Sequence, residues 1–151
     1  IPIIGGIIEY AILERFCSVL HTMLKAGVAV PSAMETTIEA VSNIVYREQL
    51  DIARQQMLEG SGFTQPLIET ELFPGAARQM FKVGEETGTL DQQLEVASEY
   101  FNRELEYRIK TFTTLFEPIM ILFVGMVVGF VAIALVSAMY GVLGGVEEAN
   151  T

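Results

Sequence analysis

The chain has 151 residues, room for one domain and an appendage. Its 19 acidic residues outnumber 9 basic ones, giving a net charge of −10, which argues against nucleic acid as a partner because phosphate binding needs a basic face. A single cysteine, Cys17, and a single histidine, His21, exclude an internal disulfide, a cysteine-based zinc site and any site that needs two histidines. The chain begins at Ile1 with no charged segment ahead of an apolar core, so it is expected to be a piece of a longer or processed chain and to carry no signal peptide.

In chain order, Ile1-Pro2-Ile3-Ile4-Gly5-Gly6-Ile7-Ile8 is apolar but too short to span a bilayer. It reads either as a packed lead-in or, preferably, as the end of an earlier membrane segment. Ile12, Phe16, Val19, Leu20, Met23 and Leu24 recur at helical spacing and predict a first helix stopped by Gly27. Pro31 suits the first turn of a second helix, expected through Met34, Ile38 and Val41 to about Asn43. A third runs from Ile44 to Glu59 with Leu50, Ala53 and Met57 on its stripe, and Gly60-Ser61-Gly62 breaks it. A short piece ends before Leu72-Phe73-Pro74, and Pro74 opens a helix containing Met80, Phe81 and Val83. Gly84 and Gly88 then punctuate the chain around Glu85-Glu86-Thr87. The last helix starts near Thr89, with the stripe Leu90, Leu94, Ala97, Phe101, Leu105, Ile109, Phe112 and Phe116. No stretch sustains strand alternation, so the expected fold class is all-α.

The 29 residues from Pro118 to Val146 contain no charge. Their heart, Ile119 to Tyr140, would rise about 33 Å as a helix against a hydrocarbon core of roughly 30 Å. A lone segment in lipid must be a helix, since it cannot close a barrel. A buried core helix is the alternative. Because no glycine interrupts the preceding stripe, one long helix is expected to leave the bundle and enter the bilayer, kinked near residues 114–118 by Pro118. Arg103, Arg108 and Lys110 precede the span and only Glu147 and Glu148 follow it, which places the bundle in the cytoplasm and the tail outside.

Catalytic constellations are missing from the sequence. There is no G-x-x-x-x-G-K-[ST] and no H-E-x-x-H, and Ser18 stands where a di-iron bundle would need a Glu three before His21. Cys17 and His21 are four apart on one helix but lack a third, orienting group, and read as packing. No catalytic residue, cofactor or metal is assigned.

The polar feature that remains is the acidic group Glu85, Glu86 and Asp91 around the glycine-bounded turn of Gly84 and Gly88. Glu86 and Asp91 can be read as first-turn acids complementing a helix dipole. The group can also be read as a docking patch for a basic partner or a weak hard-cation site, although its spacing fits no calcium loop. Gly125 and Gly129 form a G-x-x-x-G, continued by Ser137, Gly141 and Gly145, that would let membrane helices approach closely. Glu117 and Pro118 mark the membrane junction, where Glu117 is either solvated at the interface or paired with a basic group of a neighbouring subunit.

These residues fall into a family pattern. Arg15-Phe16, Lys25-Ala26-Gly27-Val28 with Pro31, Asn43, Gly60, Leu72-Phe73-Pro74 and Gln79-Met80 occur in order. Then comes the most telling run, Val83-Gly84-Glu85-Glu86-Thr87-Gly88-Thr89-Leu90-Asp91, followed by Tyr100, Glu104, Glu117-Pro118, Gly125 and Val128-Gly129. The chain resembles the repeat domain of the type II secretion and type IV pilus inner-membrane platform family (GspF/PilC, the secretion-system F domain) over nearly its whole length. The resemblance implies an antiparallel six-helix bundle whose last helix continues into a membrane helix, as the second of two such domains and the last of three spans. It divides the chain into residues 1–8, leaving a preceding membrane segment, a cytoplasmic bundle over 9–112, a span over 113–146 and an external tail over 147–151. It implies no catalysis. It implies a place in the cytoplasmic membrane, coupling a cytoplasmic assembly ATPase to insertion of pilin or pseudopilin subunits, with contacts to other inner-membrane platform proteins and to further copies of itself. One departure is that many relatives carry a Pro late in the final span, where Leu135 to Tyr140 has none. Outside the family, the competing expectation is a single-span adaptor or sensor that dimerises through its membrane helix.

Overall fold

A computed structural model describes the backbone of residues 2–148 and the side chains of residues 5–143. Six helices follow in order: α1 (Pro2–Lys25), α2 (Val30–Glu39), α3 (Ile44–Leu58), α4 (Thr64–Glu69), α5 (Gly75–Thr87) and α6 (Leu90–Glu148). No strand occurs among the described residues. The chain divides into two units between Ile109 and Lys110.

In the first unit every helix buries one stripe. Leu13, Phe16, Cys17 and Leu20 do so on α1, Ala33, Met34, Thr37 and Ile38 on α2, and Leu50, Ala53 and Met57 on α3. The buried line on α1 lies one residue round from the expected one. Leu13 and Cys17 are inside, while Ile12, Val19, Met23 and Leu24 are only half-buried. Ala77, Phe81 and Gly84 on α5 and Leu94, Ala97 and Phe101 on α6 complete the core. A relay of aromatic rings joins the short elements at its centre. Phe16 meets Phe73 at 5.2 Å, Phe73 meets Phe81 at 5.1 Å, and Phe81 meets Phe63 at 5.6 Å. The last two are edge-to-face and the first is tilted; aromatic pairs of this kind add about 0.5–1.5 kcal/mol each beyond area burial.

Helix ends follow the local chemistry. Asn43 is not the end of α2 as expected. It is the N-cap of α3, its Oδ1 accepting from the N–H groups of Val45 (3.0 Å) and Tyr46 (3.4 Å). The freed end of α2 is closed by Arg47, which donates to the carbonyl oxygens of Val41 (2.9 Å) and Glu39 (3.4 Å). Gly88 ends α5 at φ 69°, where any side chain would be strained, and Thr89 N–H closes back on the Gly84 carbonyl at 2.9 Å. The same closure ends α1 at Gly27 and α3 at Gly60.

α1 and the start of α6 lie side by side and antiparallel. His21 Nδ1 meets the Asp91 carbonyl at 2.8 Å and Ser98 Oγ donates to Glu14 at 3.4 Å. Tyr10 packs edge-on to Phe101 at 5.9 Å, and the Arg108 guanidinium sits 4.3 Å above the Tyr10 ring. A side chain at Gly6 would strike Arg108 Nη1, so this glycine is what lets the arginine lie flat there. As the α1 partner moves back toward its start, the α6 partner moves on toward Ile109. One end of the bundle therefore holds the beginning of α1 and Ile109, and the other holds the turns at Gly27, Gly60 and Gly88.

In the second unit α6 stays helical on both sides of Pro118. The element is continuous there, as expected, because proline removes one N–H and the flanking turns keep theirs. Thr114 Oγ1 donates to the Lys110 carbonyl at 2.9 Å, and Phe112 stacks on Phe116 at 6.2 Å. The helix is long and apolar enough to cross a membrane, and Ile119 to Leu143 is exposed throughout.

Gly84 was expected to bound a turn and instead lies inside α5, fully buried. A Cβ there would stand 2.9 Å from Leu90 Cα and 3.1 Å from the Gln93 side chain, so the missing side chain is what lets α5 meet the first turn of α6. In an open helix Gly→Ala gains up to about 1 kcal/mol. Here the clash is with backbone, and Gly84→Ala is expected to cost about 1–3 kcal/mol instead. Urea unfolding of the variant in detergent reads the sign directly.

Candidate docking site at the α5–α6 junction

The acidic group lies at the bundle end away from Ile109, but its members have different tasks. Glu85 reaches across to α4. Its Oε1 accepts from the Phe63 N–H at 2.6 Å and its Oε2 from the Thr64 N–H at 2.9 Å. These are among the donors that a helix start leaves without partners, so Glu85 caps α4 from twenty residues away in sequence. Gly62, at φ 76°, makes room for it, since a Cβ there would fall 2.5 Å from Oε1. Partial burial pushes the Glu85 carboxyl up. The Thr64 hydroxyl, although short of ordinary hydrogen-bond geometry, and the two backbone N–H groups outweigh that and hold it below the usual carboxylate value of 4.5.

Glu86 is exposed in the last turn of α5, not in a first turn as expected, and no basic residue shares that turn. A negative charge there opposes the helix dipole and costs a few tenths of a kcal/mol. Asp91 does occupy the first turn of α6, where the dipole favours it, and its carbonyl accepts the His21 ring. A carbonyl only accepts, so His21 Nδ1 is the donor in this contact. Beside Glu85, but not lined by Glu86 or Asp91, opens a pocket of about 380 Å³ walled by Val30, Pro31, Met57, Phe63 and Leu90.

Other singled-out residues lie elsewhere. Gly125 and Gly129 are exposed on α6, and an added Cβ would meet nothing within 4 Å. Glu117 and Pro118 are exposed on the same helix. Cys17 is fully buried, and burial, with the charge of Glu14 adding to it, pushes its thiol far above the range in which a thiolate forms. Among the described residues no group of three or more His, Cys, Asp or Glu is arranged to hold a metal ion.

Comparison with known proteins adds the family. The model of the type II secretion system (T2SS) protein F family matches residues 16–138. The chain belongs to the type II secretion protein F family. A type IV pilus assembly protein PilC of Myxococcus xanthus is 29% identical over 97% of this chain and 35% of its own length. Another PilC, from Pseudomonas aeruginosa, is 31% identical over 89% of this chain and 36% of its own. The type II secretion system protein F of the same species is 30% identical over 89% of this chain and 33% of its own. This protein F family chain thus spans about a third of the length of the relatives it matches. The matched stretch takes in Glu85, Glu86, Asp91, the glycines at 84 and 88 and most of the apolar helix.

The cap makes a pH-dependent prediction. A carboxyl with a lowered folded-state pKa contributes stability that is complete above its ordinary value and is lost as pH falls through the folded value. Glu85→Gln is therefore expected to lower stability by about 1 kcal/mol at pH 7, after discounting for exposure. The wild-type and variant curves should converge as pH drops below 4.5. Thermal unfolding across pH 3–7, quoted as roughly the range that brackets an ordinary carboxylate, checks this.

Proposed function

We propose that this chain is the cytoplasmic bundle and final span of an inner-membrane platform protein. In this reading the bundle covers residues 9–112, the span 113–146 and the external tail 147–151, with residues 1–8 leaving an earlier membrane segment. The platform couples a cytoplasmic assembly ATPase to insertion of pilin or pseudopilin subunits, meets other platform proteins and further copies of itself, and performs no chemistry of its own. The family match over residues 16–138 carries the reading. The uncharged run from Pro118 to Val146 and the basic residues just before it support the membrane crossing and its direction.

Docking at the acidic end is supported by placement. From Asp91 to Ile109 α6 advances 18 residues, about 27 Å, so the acids stand at the end of the bundle away from Ile109. Glu86 sits where local helix energetics disfavour it, which is where a contact residue is expected. The adjacent pocket offers apolar walls and an ionised carboxylate to an inserted basic side chain. Glu117 and Pro118 at the membrane junction, and Gly125 and Gly129 as a helix-packing face, complete the proposed assignments.

Because Glu85 also caps α4, Glu86 is the cleaner probe. Glu86→Lys in the full-length platform protein is expected to cut recovery of the co-purifying assembly ATPase roughly tenfold. Bundle stability should hold or rise slightly. Unchanged recovery would remove Glu86 from the docking surface.

A further inference from the structure

The pocket of about 380 Å³ beside the α5–α6 junction holds one fixed charge. Glu85 lines it, and the backbone already places both carboxylate oxygens. The Phe63 N–H holds Oε1 at 2.6 Å and the Thr64 N–H holds Oε2 at 2.9 Å. The walls from Val30, Pro31, Met57 and Leu90 are apolar, and Gly62 and Gly88 border the opening without side chains. Glu85 has no cation against it. Among the described residues, ion pairs form only at Arg54 and Arg103, and neither reaches Glu85.

We infer that this pocket receives one arginine side chain of a protein partner, its guanidinium on Glu85 and its methylene stem along the apolar walls. This rests on the reading of the bundle end as a docking surface and names the side chain that docks there. Ligand pockets run from roughly 300 Å³ upward, so this one suits a single side chain rather than a large ligand. An ionised carboxylate has about four acceptor sites, and the backbone fills one on each oxygen. One site on each oxygen stays open, and the paired N–H groups of a guanidinium can take both. A neutral apolar side chain would cover those sites and leave them without partners. A lysine ammonium is a compact, strongly hydrated charge, and the apolar walls would strip its water. Guanidinium is more weakly hydrated and loses less on entering. The chain's net charge of −10 draws a cationic partner toward it.

The test uses the full chain in detergent micelles with its methionine methyl groups labelled for NMR. Met57 reports from the pocket wall. Met34, fully buried on α2, and Met126, exposed on the apolar helix, are internal controls. The probes are the N-acetyl methylamides of arginine, lysine and citrulline, the last a neutral isostere of arginine. The arginine probe is expected to move the Met57 signal and neither control. It should bind several-fold tighter than the lysine probe and about tenfold tighter than the citrulline probe. Glu85→Gln should erase the preference for arginine over citrulline. Because Glu85→Gln also weakens the α4 cap, Val30→Phe is the second variant. It narrows the pocket, leaves the cap intact and should weaken arginine binding. Equal binding of arginine and citrulline, or of arginine and lysine, would overturn the inference. So would a Met57 signal that no probe moves, or arginine binding that Val30→Phe leaves unchanged. Assembly-ATPase recovery with Glu86→Lys separates this from the docking reading. Lost recovery without an arginine preference removes the inference and keeps the docking surface. An arginine preference with unchanged recovery removes the docking reading and leaves the pocket's ligand chemistry standing.

Discussion

The antiparallel pairing of α1 with the start of α6 is the constraint on which the rest of the bundle depends. Four different interactions hold it in a single register: a histidine on a carbonyl, a serine on a carboxylate, an aromatic edge contact and an arginine over a ring. None is strong alone, at roughly 0.5–2 kcal/mol each. A slip of one turn would break all of them together and drive Arg108 into a side chain where Gly6 now leaves space. Once this pair is fixed, α2 to α5 have one place to go, and the ends of the bundle acquire different characters. The glycine-closed turns gather at one end, and the start of α1 and Ile109 at the other.

Sharing a carboxylate between helices changes how the acidic group is understood. By composition Glu85, Glu86 and Asp91 are three like charges. In the fold, Glu85 serves the start of α4, Asp91 sits at a favourable helix start, and Glu86 stands in the last turn of α5 against the field of its own helix. A surface can thus be conspicuous in sequence for one reason and useful for another. The capped loop and the closed turn at Gly88 stiffen the walls of the pocket they border, and a rigid pocket loses less entropy on binding.

Sequence periodicity carried the order of the five longer helices, which repeat their apolar residues at three- and four-residue steps, while α4 was left as a short piece and the count of six came with the family resemblance. Gly27, Gly60 and Gly88 were readable as stops, since each closes a helix with φ above zero. What could not be read depends on distant parts of the chain. Gly84 and Gly88 look alike in Gly-Glu-Glu-Thr-Gly, yet one is a close approach to Leu90 and the other a left-handed cap. The Glu85 cap joins residues more than twenty apart. Asn43 pointed forward to α3 rather than back to α2, and its placement after a short loop at the end of one apolar pattern and before the next was the only available sign. The one-residue rotation of the α1 stripe brings Leu13 and Cys17 into the core, a detail of tertiary packing that no single-helix pattern contains. The single long helix expected through Pro118 is present, since a lone proline in a long apolar helix need not end it.

The central claim is a bundle on one side of a membrane joined by one crossing to a tail on the other, and labelling from each side tests it most directly. Cys17 is buried and its thiol is held protonated, so a new cysteine is the only reactive one. Ser61→Cys in the bundle and Asn150→Cys in the tail would be exposed in turn to a membrane-impermeant maleimide in right-side-out and inside-out vesicles. The account requires Cys at position 61 to react only from the cytoplasmic face and Cys at position 150 only from the outside. Labelling of both from the same face would contradict it.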